Sequence, residues 1–382
     1  MTTLDDPDTP FAVLDRTRMD RNIDRLRARL DAAGVPLRLH VKTSKSLDVA
    51  AAVHRAGPGP VTVSTLAEAE YFADGGYTDI LYAVGIEPRK LPRVLDLRRR
   101  GVDLAVLLDS AAQAEAVAKA SAAAGDAIPA LIEIDCDGHR GGIQPDDAAL
   151  LDIGRLLHDG GAELRGVLDH AGESYYADTP ETQRKAAQHE RDVVVRAAER
   201  LRQAGLPAPV VSVGATPTAH AAADLTGVTE VRAGNYVFFD LVMAGIGVCT
   251  VDDLALSVVV TVIGHRTDKG WILTDGGWMA TSRDRGTAVQ KIDQGYGVVT
   301  DLHGRVYADL VMTGASQEHG TLAIRPGSRQ VLPDLPIGSR VRILPNHACA
   351  TAAQHREYHV IDGKPTPDAP AIEAVWPRHN GW

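Results

Sequence analysis

The sequence has few cysteines and aromatic residues, and it lacks long apolar runs. Its three cysteines, Cys136, Cys249 and Cys349, are too few and too scattered for a disulfide framework. No stretch approaches the ~20 apolar residues that a membrane-spanning helix requires. The first residues, MTTLDDPDTPF, are acidic and lack the basic-then-apolar pattern of a signal peptide. We therefore expect a cytoplasmic protein in a reducing compartment, without membrane contact.

The sequence also lacks any basic run. Its formal net charge is −10, which argues against nucleic acid as a partner. Hydrophobic residues make up 45% and charged residues 24%, which is an ordinary globular composition. A chain of 382 residues is long enough for one large domain and a smaller one.

Between about residues 35 and 235, short apolar runs alternate with helical patterns rich in Ala, Leu and Arg. Near-continuous apolar runs are typical of parallel strands that are covered on both faces. Eight βα units in about 200 residues predict a (β/α)8 TIM-type barrel, with a doubly wound sheet as the alternative. The predicted strands are 37–43, 61–65, 79–85, 103–109, 130–135, 164–170, 209–214 and 230–234.

After Asp240 the pattern changes to alternating apolar and polar residues with Gly-rich turns, which predicts a mostly antiparallel β domain. Residues 9–15 form another candidate strand, which could pair with this C-terminal sheet. We predict a barrel domain of residues 16–245 and a β domain of residues 1–15 plus 246–382. The predicted strands after Asp240 are 255–266, 270–274, 297–301, 305–313 and 339–345.

Lys42 lies near the end of the first predicted barrel strand. Side chains just past the C-terminal strand ends of a barrel point into one shared mouth, where active sites lie. A neutral lysine amine is what a Schiff base requires. A lysine at a strand end can equally extend its amine to solvent. The pattern alone leaves both interpretations open.

Two Gly-rich turns follow the seventh and eighth predicted strands: Gly214-Ala215-Thr216 and Gly234-Asn235-Tyr236. Backbone amides and threonine hydroxyls there could cradle a phosphate, which barrels often bind after strands seven and eight. The alternative is two ordinary tight turns. Arg140, in the loop after the fifth strand, is either a contact to a planar ring or anionic oxygen, or a solvated arginine.

His347 and Cys349 are two residues apart, so in an extended segment both side chains point to one face. Imidazole and thiolate together suit Zn²⁺. Two ligands are too few for a structural site but suit an open catalytic one. A buried cysteine can also be a small hydrophobic residue only. Asp240 and Arg283 are either substrate contacts or ordinary structural ion partners, and we favour the second interpretation.

Lys42, the strand-seven glycine turn and the His-x-Cys pair together resemble the D-serine dehydratase/D-threonine aldolase family, whose members are pyridoxal-phosphate enzymes of the alanine-racemase fold type. The resemblance runs nearly end to end. It is carried by HVKTSK (40–45), DGHRGG (137–142), HAGESY (170–175), SVGATPT (212–218), VRAGNYVFFD (231–240), DGGWMATSRDRG (275–286), QEHG (317–320), PNHACAT (345–351) and WPRHNGW (376–382).

The resemblance implies a barrel followed by a β domain, usually as a homodimer, with Lys42 as the Schiff-base lysine that removes the Cα proton. It also implies a divalent metal beside the substrate β-hydroxyl, with zinc favoured and manganese or magnesium as alternatives. The other implied roles are phosphate binding by Gly214, Ala215, Thr216, Asn235 and Tyr236, ring or oxygen contacts by Arg140 and Tyr175, and metal binding by His347 and Cys349.

One position favours a branch of the family. Aldolases typically carry His-x-Asp at the metal site and eukaryotic-type dehydratases carry His-x-Cys, so Cys349 indicates a dehydratase. Ser44, Gly141 and Glu173 stand where the family commonly has His, Cys, and His or Asn, so the resemblance leaves the particular amino acid open.

The resemblance therefore implies a dehydratase that converts a D-3-hydroxy amino acid, such as D-serine or D-threo-3-hydroxyaspartate, to a 2-oxo acid and ammonia. One alternative is a retro-aldol lyase that yields glycine and an aldehyde. Another is a non-catalytic pyridoxal-phosphate carrier. The C-terminal domain and the His-x-Cys pair count against a carrier, which needs neither.

Overall fold

The computed structural model describes residues 2–364 and 368–382, which cluster into two compact units. One unit comprises Leu26–Gly234 with Gly381–Trp382, and the other comprises the chain up to Arg25 with Asn235–Asn380. The predicted domain boundaries at 15/16 and 245/246 stay a prediction. Across the described ranges, no helix is long and apolar enough to cross a membrane.

Strand β1 (Phe11–Asp15) and helix α1 (Arg16–Ala33) begin the chain. Eight parallel strands of the described chain then close into a barrel, because the last strand pairs with the first. The predicted (β/α)8 barrel is thus confirmed over the doubly wound alternative. The barrel strands are β2 (Leu37–His40), β3 (Val61–Val63), β4 (Asp79–Gly85), β5 (Asp103–Leu108), β6 (Pro129–Ile134), β7 (Glu163–Asp169), β8 (Val210–Val213) and β9 (Glu230–Ala233).

Helices alternate with these strands, as the apolar periodicity predicts. They are α2 (Leu47–His54), α3 (Leu66–Asp74), α4 (Leu91–Arg99), α5 (Ala111–Ala124), α6 (Ala149–Asp159), α7 (Pro180–Gln203) and α8 (Thr216–Ala221). On α6, the buried residues Leu150, Ile153 and Leu157 recur at helical spacing and form one apolar stripe. The Thr65 and Ser110 side chains cap α3 and α5 by accepting a backbone N–H three residues further on.

Arg38 ties together the strands at the seam where the barrel closes. Its guanidinium on β2 donates to Glu230 of β9 at 2.8 Å and to Asp79 of β4 at 2.6 Å. The Arg38 and Glu230 side chains are only 13% and 11% exposed, so their charges are weakly screened. Charge pairing therefore reinforces the parallel backbone ladder between the first and last barrel strands.

The other unit contains a nine-stranded sheet among the described residues, in the order β11-β14-β13-β12-β15-β10-β1-β16-β17. All neighbours are antiparallel except β1 and β16. The predicted β domain, and the pairing of the N-terminal strand with it, are confirmed. Its further elements are α9 (Leu241–Gly245), β10 (Leu256–Arg266), β11 (Trp271–Thr274), α10 (Trp278–Thr281), β12 (Val298–Thr300), β13 (Val306–Ala315), β14 (Gly320–Ile324), β15 (Arg340–Leu344), α11 (Ala348–Ala352), β16 (Glu357–Ile361) and β17 (Ile372–Pro377).

Two details differ from the sequence-based expectation. Strand β2 ends at His40 instead of residue 43, because the chain turns there and the Lys45 N–H donates to the Val41 carbonyl at 2.7 Å. Strands β14, β16 and β17 were not predicted. β17 is the last strand of the sheet and alternates half-buried and exposed residues, so its apolar signal is weak.

Candidate active site

An open cavity lies at the C-terminal end of the barrel, with about 530 Å³ of space that includes its opening to solvent. Every barrel strand, or a residue that closely follows it, contributes to the lining, so the site is assembled from the whole barrel. The lining contains three cationic side chains and one carboxylate. The lining residues are His40, Lys42, Ser64, Ala83, Val84, Leu107, Glu133, Arg140, Leu168, His170, Gly214 and Arg232.

Lys42 lies in the turn that follows β2 and is exposed, with its side chain lining the cavity. The turn itself is held firmly. The Val41 N–H donates to Thr62 at 2.9 Å, and the Lys45 amine pairs with the fully buried Glu68 at 2.9 Å. Glu68 also accepts the Ser64 hydroxyl at 2.8 Å. A flexible amine on a fixed turn at the barrel mouth is suited to covalent attachment of a carbonyl compound.

Gly214 directly follows β8, and its conformation requires glycine. Its φ is +154°, and a Cβ there would lie 2.0 Å from the Arg232 carbonyl oxygen on β9. Both of its peptide groups are engaged. The Gly214 N–H donates to Glu190 Oε1 at 2.8 Å, and the His170 Nδ1 lies 2.9 Å from the Gly214 carbonyl oxygen. The turn is therefore fixed from two sides.

The other two residues of this turn differ in what they offer to a ligand. The Ala215 N–H is engaged, because it donates to the Thr218 hydroxyl at 3.2 Å. The Thr216 hydroxyl is buried, and it has no hydrogen-bond partner among the described residues. A buried hydroxyl without a partner is costly unless a ligand bonds to it. The Thr216 hydroxyl is therefore a better candidate to bind a phosphate oxygen than the Gly214 and Ala215 N–H groups, which already have acceptors.

His170 is the half-buried imidazole of the cavity wall. A carbonyl oxygen only accepts, so Nδ1 carries the proton in its bond to Gly214 and Nε2 is the ring acceptor. Burial lowers the pKa of His170 to about 3, and the nearby charges of Lys42, Arg232 and Arg140 act in the same direction. Burial also lowers the pKa of His40 well below its usual range. The cavity thus holds two neutral imidazoles among cationic side chains.

As the pH is lowered, we expect the His170 ring to stay neutral below pH 6.5, the ordinary pKa of histidine, and to become protonated only at about pH 3. The unfolded chain binds the proton at the higher value, so acidification through this interval favours unfolding. A titration of the histidine ring resonances by NMR checks this, with His170→Gln to assign the signal. The same substitution at exposed His158 is the matched control. A His170 signal that titrates near 6.5 would contradict the expectation.

Arg140 and Tyr175 occupy the loops that follow β6 and β7. Arg140 lines the cavity and lies 3.5 Å from Glu133, a buried carboxylate whose pKa is raised by burial. Tyr175 is half-buried, and its ring centroid lies 6.3 Å from that of His170. Both positions are compatible with contacts to a ring held in the cavity. The Glu173 carboxylate instead pairs with His139 at 2.9 Å and joins the two loops.

Arg232, Glu190 and Asp169 received no role from the sequence. Arg232 is buried at the cavity wall and donates to the Asp169 carbonyl oxygen at 3.1 Å. Burial raises the pKa of both the Asp169 and the Glu190 carboxyl groups. The sequence could have indicated that Glu190 is buried, because it falls at helical spacing on the buried stripe of α7. That stripe includes Gln183, Ala187, Val194 and Leu201.

His347 and Cys349 lie in the other unit, at the start of α11. The His347 Nδ1 lies 2.6 Å from Asp284 Oδ2, and the imidazole is also hydrogen-bonded to the Cys349 side chain. Burial opposes the imidazolium, but Cys349, Asp284 and Asp240 outweigh it and raise the pKa of His347 to about 11. A carboxylate on one ring nitrogen is the usual partner of a metal-binding histidine.

The donor set fits a metal with open positions. In residues 2–364 and 368–382, no group of three or more His, Cys, Asp or Glu side chains is arranged to hold a metal ion. His347 and Cys349 would supply imidazole and thiol to such an ion, with Asp284 behind the imidazole. Sequence reasoning missed Asp284, which lies 63 residues before its partner.

Asn235 and Tyr236 follow β9 and are buried. The Asn235 amide donates to Asp240 Oδ2 at 2.5 Å, and the same oxygen accepts the Ala348 N–H at 2.9 Å. Asp240 therefore joins the Asn235 turn to the segment between His347 and Cys349. Arg283 packs over the Trp278 ring at 4.7 Å, a structural contact of the cation–π type.

Two family descriptions match the chain. Residues 14–242 match "Alanine racemase, N-terminal domain", and residues 255–361 match "Putative serine dehydratase domain". The D-threo-3-hydroxyaspartate dehydratase of Delftia sp. (strain HT23) is 58% identical over 378 residues, covering 98% of each chain. The D-serine dehydratase of Dictyostelium discoideum is 28% identical over 374 residues, covering 93% of each chain.

Solved structures of the Delftia enzyme superpose closely on this chain. Both that enzyme and a D-threo-3-hydroxyaspartate dehydratase mutant in the metal-free form give a TM-score of 0.95 at 57% sequence identity, with 100% of each chain covered. The existence of a metal-free form of that protein is consistent with a metal in its ordinary form. The likeness spans both the barrel and the β unit.

Proposed function

We propose that this chain, which belongs to the alanine-racemase-like family of D-serine dehydratases and D-threonine aldolases, is a lyase that converts a D-3-hydroxy amino acid to a 2-oxo acid and ammonia. The family predicted from the sequence is thereby confirmed. Because the relative at 58% identity is a D-threo-3-hydroxyaspartate dehydratase, that amino acid is the first candidate substrate and D-serine is the second.

The pair of His347 and Cys349 is the observation that carries the choice of dehydratase. The His347 imidazole is hydrogen-bonded to the Cys349 side chain and to Asp284, and this arrangement supports the proposal that His347 and Cys349 bind one ion. Imidazole and thiolate favour Zn²⁺ over Mn²⁺ and Mg²⁺, which prefer oxygen ligands. Such an ion supplies a Lewis acid that makes the β-hydroxyl a better leaving group.

The barrel mouth provides the remaining groups. Lys42 would hold pyridoxal phosphate, which when bound supplies an electron sink for the charge left at Cα. The Thr216 hydroxyl would bind the phosphate, with Gly214, Ala215, Asn235 and Tyr236 shaping the turns around it. Arg140 and Tyr175 would contact the ring or its oxygen. The Lys42 Nζ, once free and neutral, would take the Cα proton of the substrate.

Two other activities use the same residues differently. In a retro-aldol lyase the base takes the proton of the β-hydroxyl, and the products are glycine and an aldehyde. A carrier would bind the cofactor without turnover. The complete β unit and the His347–Cys349 pair favour an enzyme, because a carrier requires neither. A homodimer, which the family resemblance implies, and a cytoplasmic location, which the cysteine content led us to expect, complete the proposal.

Product analysis on a panel of D-3-hydroxy amino acids tests the assignment. We expect ammonia and a 2-oxo acid in equal amounts, because loss of water from a 3-hydroxy amino acid leaves an enamine that hydrolyses. The L-enantiomers are the matched controls and should give no product. Glycine with an aldehyde would replace the dehydratase by the aldolase, and no turnover of any substrate would leave the carrier.

A further inference from the structure

We propose that Glu190 is a positioning residue, which holds the Gly214 turn in the conformation that receives the phosphate of the cofactor. This inference rests on the proposed function, because it assigns the phosphate to the turn after β8. Glu190 is not among the residues that line the cavity, and it belongs to α7. It would act through the backbone of the turn.

Several donors converge on the Glu190 carboxylate, which is 2% exposed. The Gly214 N–H donates to Oε1 at 2.8 Å, and the Ala171 N–H and the Thr218 hydroxyl are also hydrogen-bonded to the carboxylate. Ala171 belongs to the loop after β7, whereas Gly214 and Thr218 belong to the turn after β8. One carboxylate on a helix therefore joins two loops of the barrel mouth.

The consequence for the turn follows from its geometry. Glu190 engages the Gly214 N–H, and His170 engages the Gly214 carbonyl oxygen at 2.9 Å. The peptide groups on both sides of the Gly214 Cα are thus fixed, and the next residues begin α8. The Thr216 hydroxyl, which is buried without a partner among the described residues, is left at the start of that helix. The fixed conformation of Gly214 therefore determines the position of the Thr216 hydroxyl that would bind the phosphate.

A carboxylate is required here because its partners are donors. Each oxygen of an ionised glutamate accepts hydrogen bonds, so both backbone N–H groups can be satisfied together. Glutamine has nearly the same shape but only one accepting oxygen, and its NH2 group would oppose an N–H of Gly214 or Ala171. Burying a carboxylate is also costly, so an acid at this position serves more than packing.

The alternative is a purely structural link between α7 and the barrel. The two roles differ in what they do to ligands with and without a phosphate. Pyridoxal has the ring and aldehyde of pyridoxal phosphate but no phosphate group. A structural defect would weaken the binding of both compounds, whereas a misplaced phosphate turn would weaken only the phosphorylated one.

The experiment titrates cofactor-stripped full-length protein with pyridoxal phosphate and, separately, with pyridoxal, following the visible absorbance of each bound compound. We compare the wild type with Glu190→Gln and with Glu199→Gln, which makes the same change at an exposed position of α7. We expect Glu190→Gln to bind pyridoxal phosphate ~10- to 100-fold more weakly, the effect of losing a hydrogen bond to a charged group, and to bind pyridoxal unchanged. Glu199→Gln should bind both as the wild type does.

Equal losses for the two compounds in Glu190→Gln, or no loss for either, would overturn the inference. If Glu190→Gln does not fold, Glu190→Asp, which keeps both accepting oxygens on a shorter side chain, is judged by the same ratio of affinities. A wild type that does not prefer pyridoxal phosphate to pyridoxal would count against the proposed function itself. If the wild type and Glu190→Gln prefer pyridoxal phosphate to pyridoxal equally, the role of Glu190 is refuted and the proposed function stands.

Discussion

Replacing Lys42 with alanine should abolish both turnover and the visible absorbance near ~420 nm that a lysine-bound pyridoxal phosphate gives. Both losses are expected because the cofactor would be bound through a covalent bond to the Lys42 amine, and the other lining residues of the cavity include no lysine. The side chain is exposed and lies in a turn, so we expect little effect on stability, within about 0.5 kcal/mol. Absorbance spectra and an ammonia assay on the purified variant measure the two losses.

Lys42→Arg separates the charge of this residue from its chemistry. Arginine keeps a cation at the cavity but stays protonated and forms no Schiff base, so this variant should be as inactive as Lys42→Ala. Exposed Lys119 on α5 offers a matched control, and Lys119→Ala should keep both colour and activity. A yellow, active Lys42→Ala protein would refute the assignment of the cofactor lysine.

Cys349→Ala and His347→Ala should each remove the bound metal and lower turnover by more than ~100-fold while leaving the visible absorbance of the cofactor in place. His347 and Cys349 are the two direct ligands that we propose, so the loss of either would leave the ion a single protein bond. Elemental analysis of the purified variants gives the metal content, and activity after chelation and metal addition gives the dependence.

Cys249→Ala removes a thiol elsewhere in the chain and should leave the metal content at the level of the wild type. Restoration of the chelated wild type by one divalent ion in preference to others would identify the metal. Full activity after complete removal of metal would exclude the ion from the reaction and return His347 and Cys349 to the role of a structural pair.

The architecture was readable from the sequence because the barrel strands are buried on both faces. Residues 104–108, for example, are all apolar, and the corresponding β5 is buried along nearly its full length. The strand ends then located the mouth, which placed Lys42, Arg140 and the Gly214 turn together at the cavity. The position of Lys42 in a turn was not predicted, since apolar character continues through Val41.

The hydrogen-bond partners of the site residues could not be predicted from the sequence, because they come from segments that are distant along the chain. Asp284 is one acidic residue among many in the sequence, and only folding brings it to His347. The amides of Gly214 and Ala215 were predicted to bind phosphate, yet their engagement by Glu190 and Thr218 emerges only in three dimensions. The importance of Glu190 could have been predicted from the sequence, because it is a charged residue on the buried stripe of a long helix.

The position of β1 in the nine-stranded sheet bears on the order in which the chain can be assembled during synthesis. Among the described strands, β16 and β17 join the rest of the sheet through β1, which pairs with β10 on its other side. Strand β1 thus waits for partners that are made more than two hundred residues later, whereas most neighbouring barrel strands follow one another closely along the chain. Translation therefore favours completion of the barrel before this sheet, which is complete only after β16 and β17 have been synthesised.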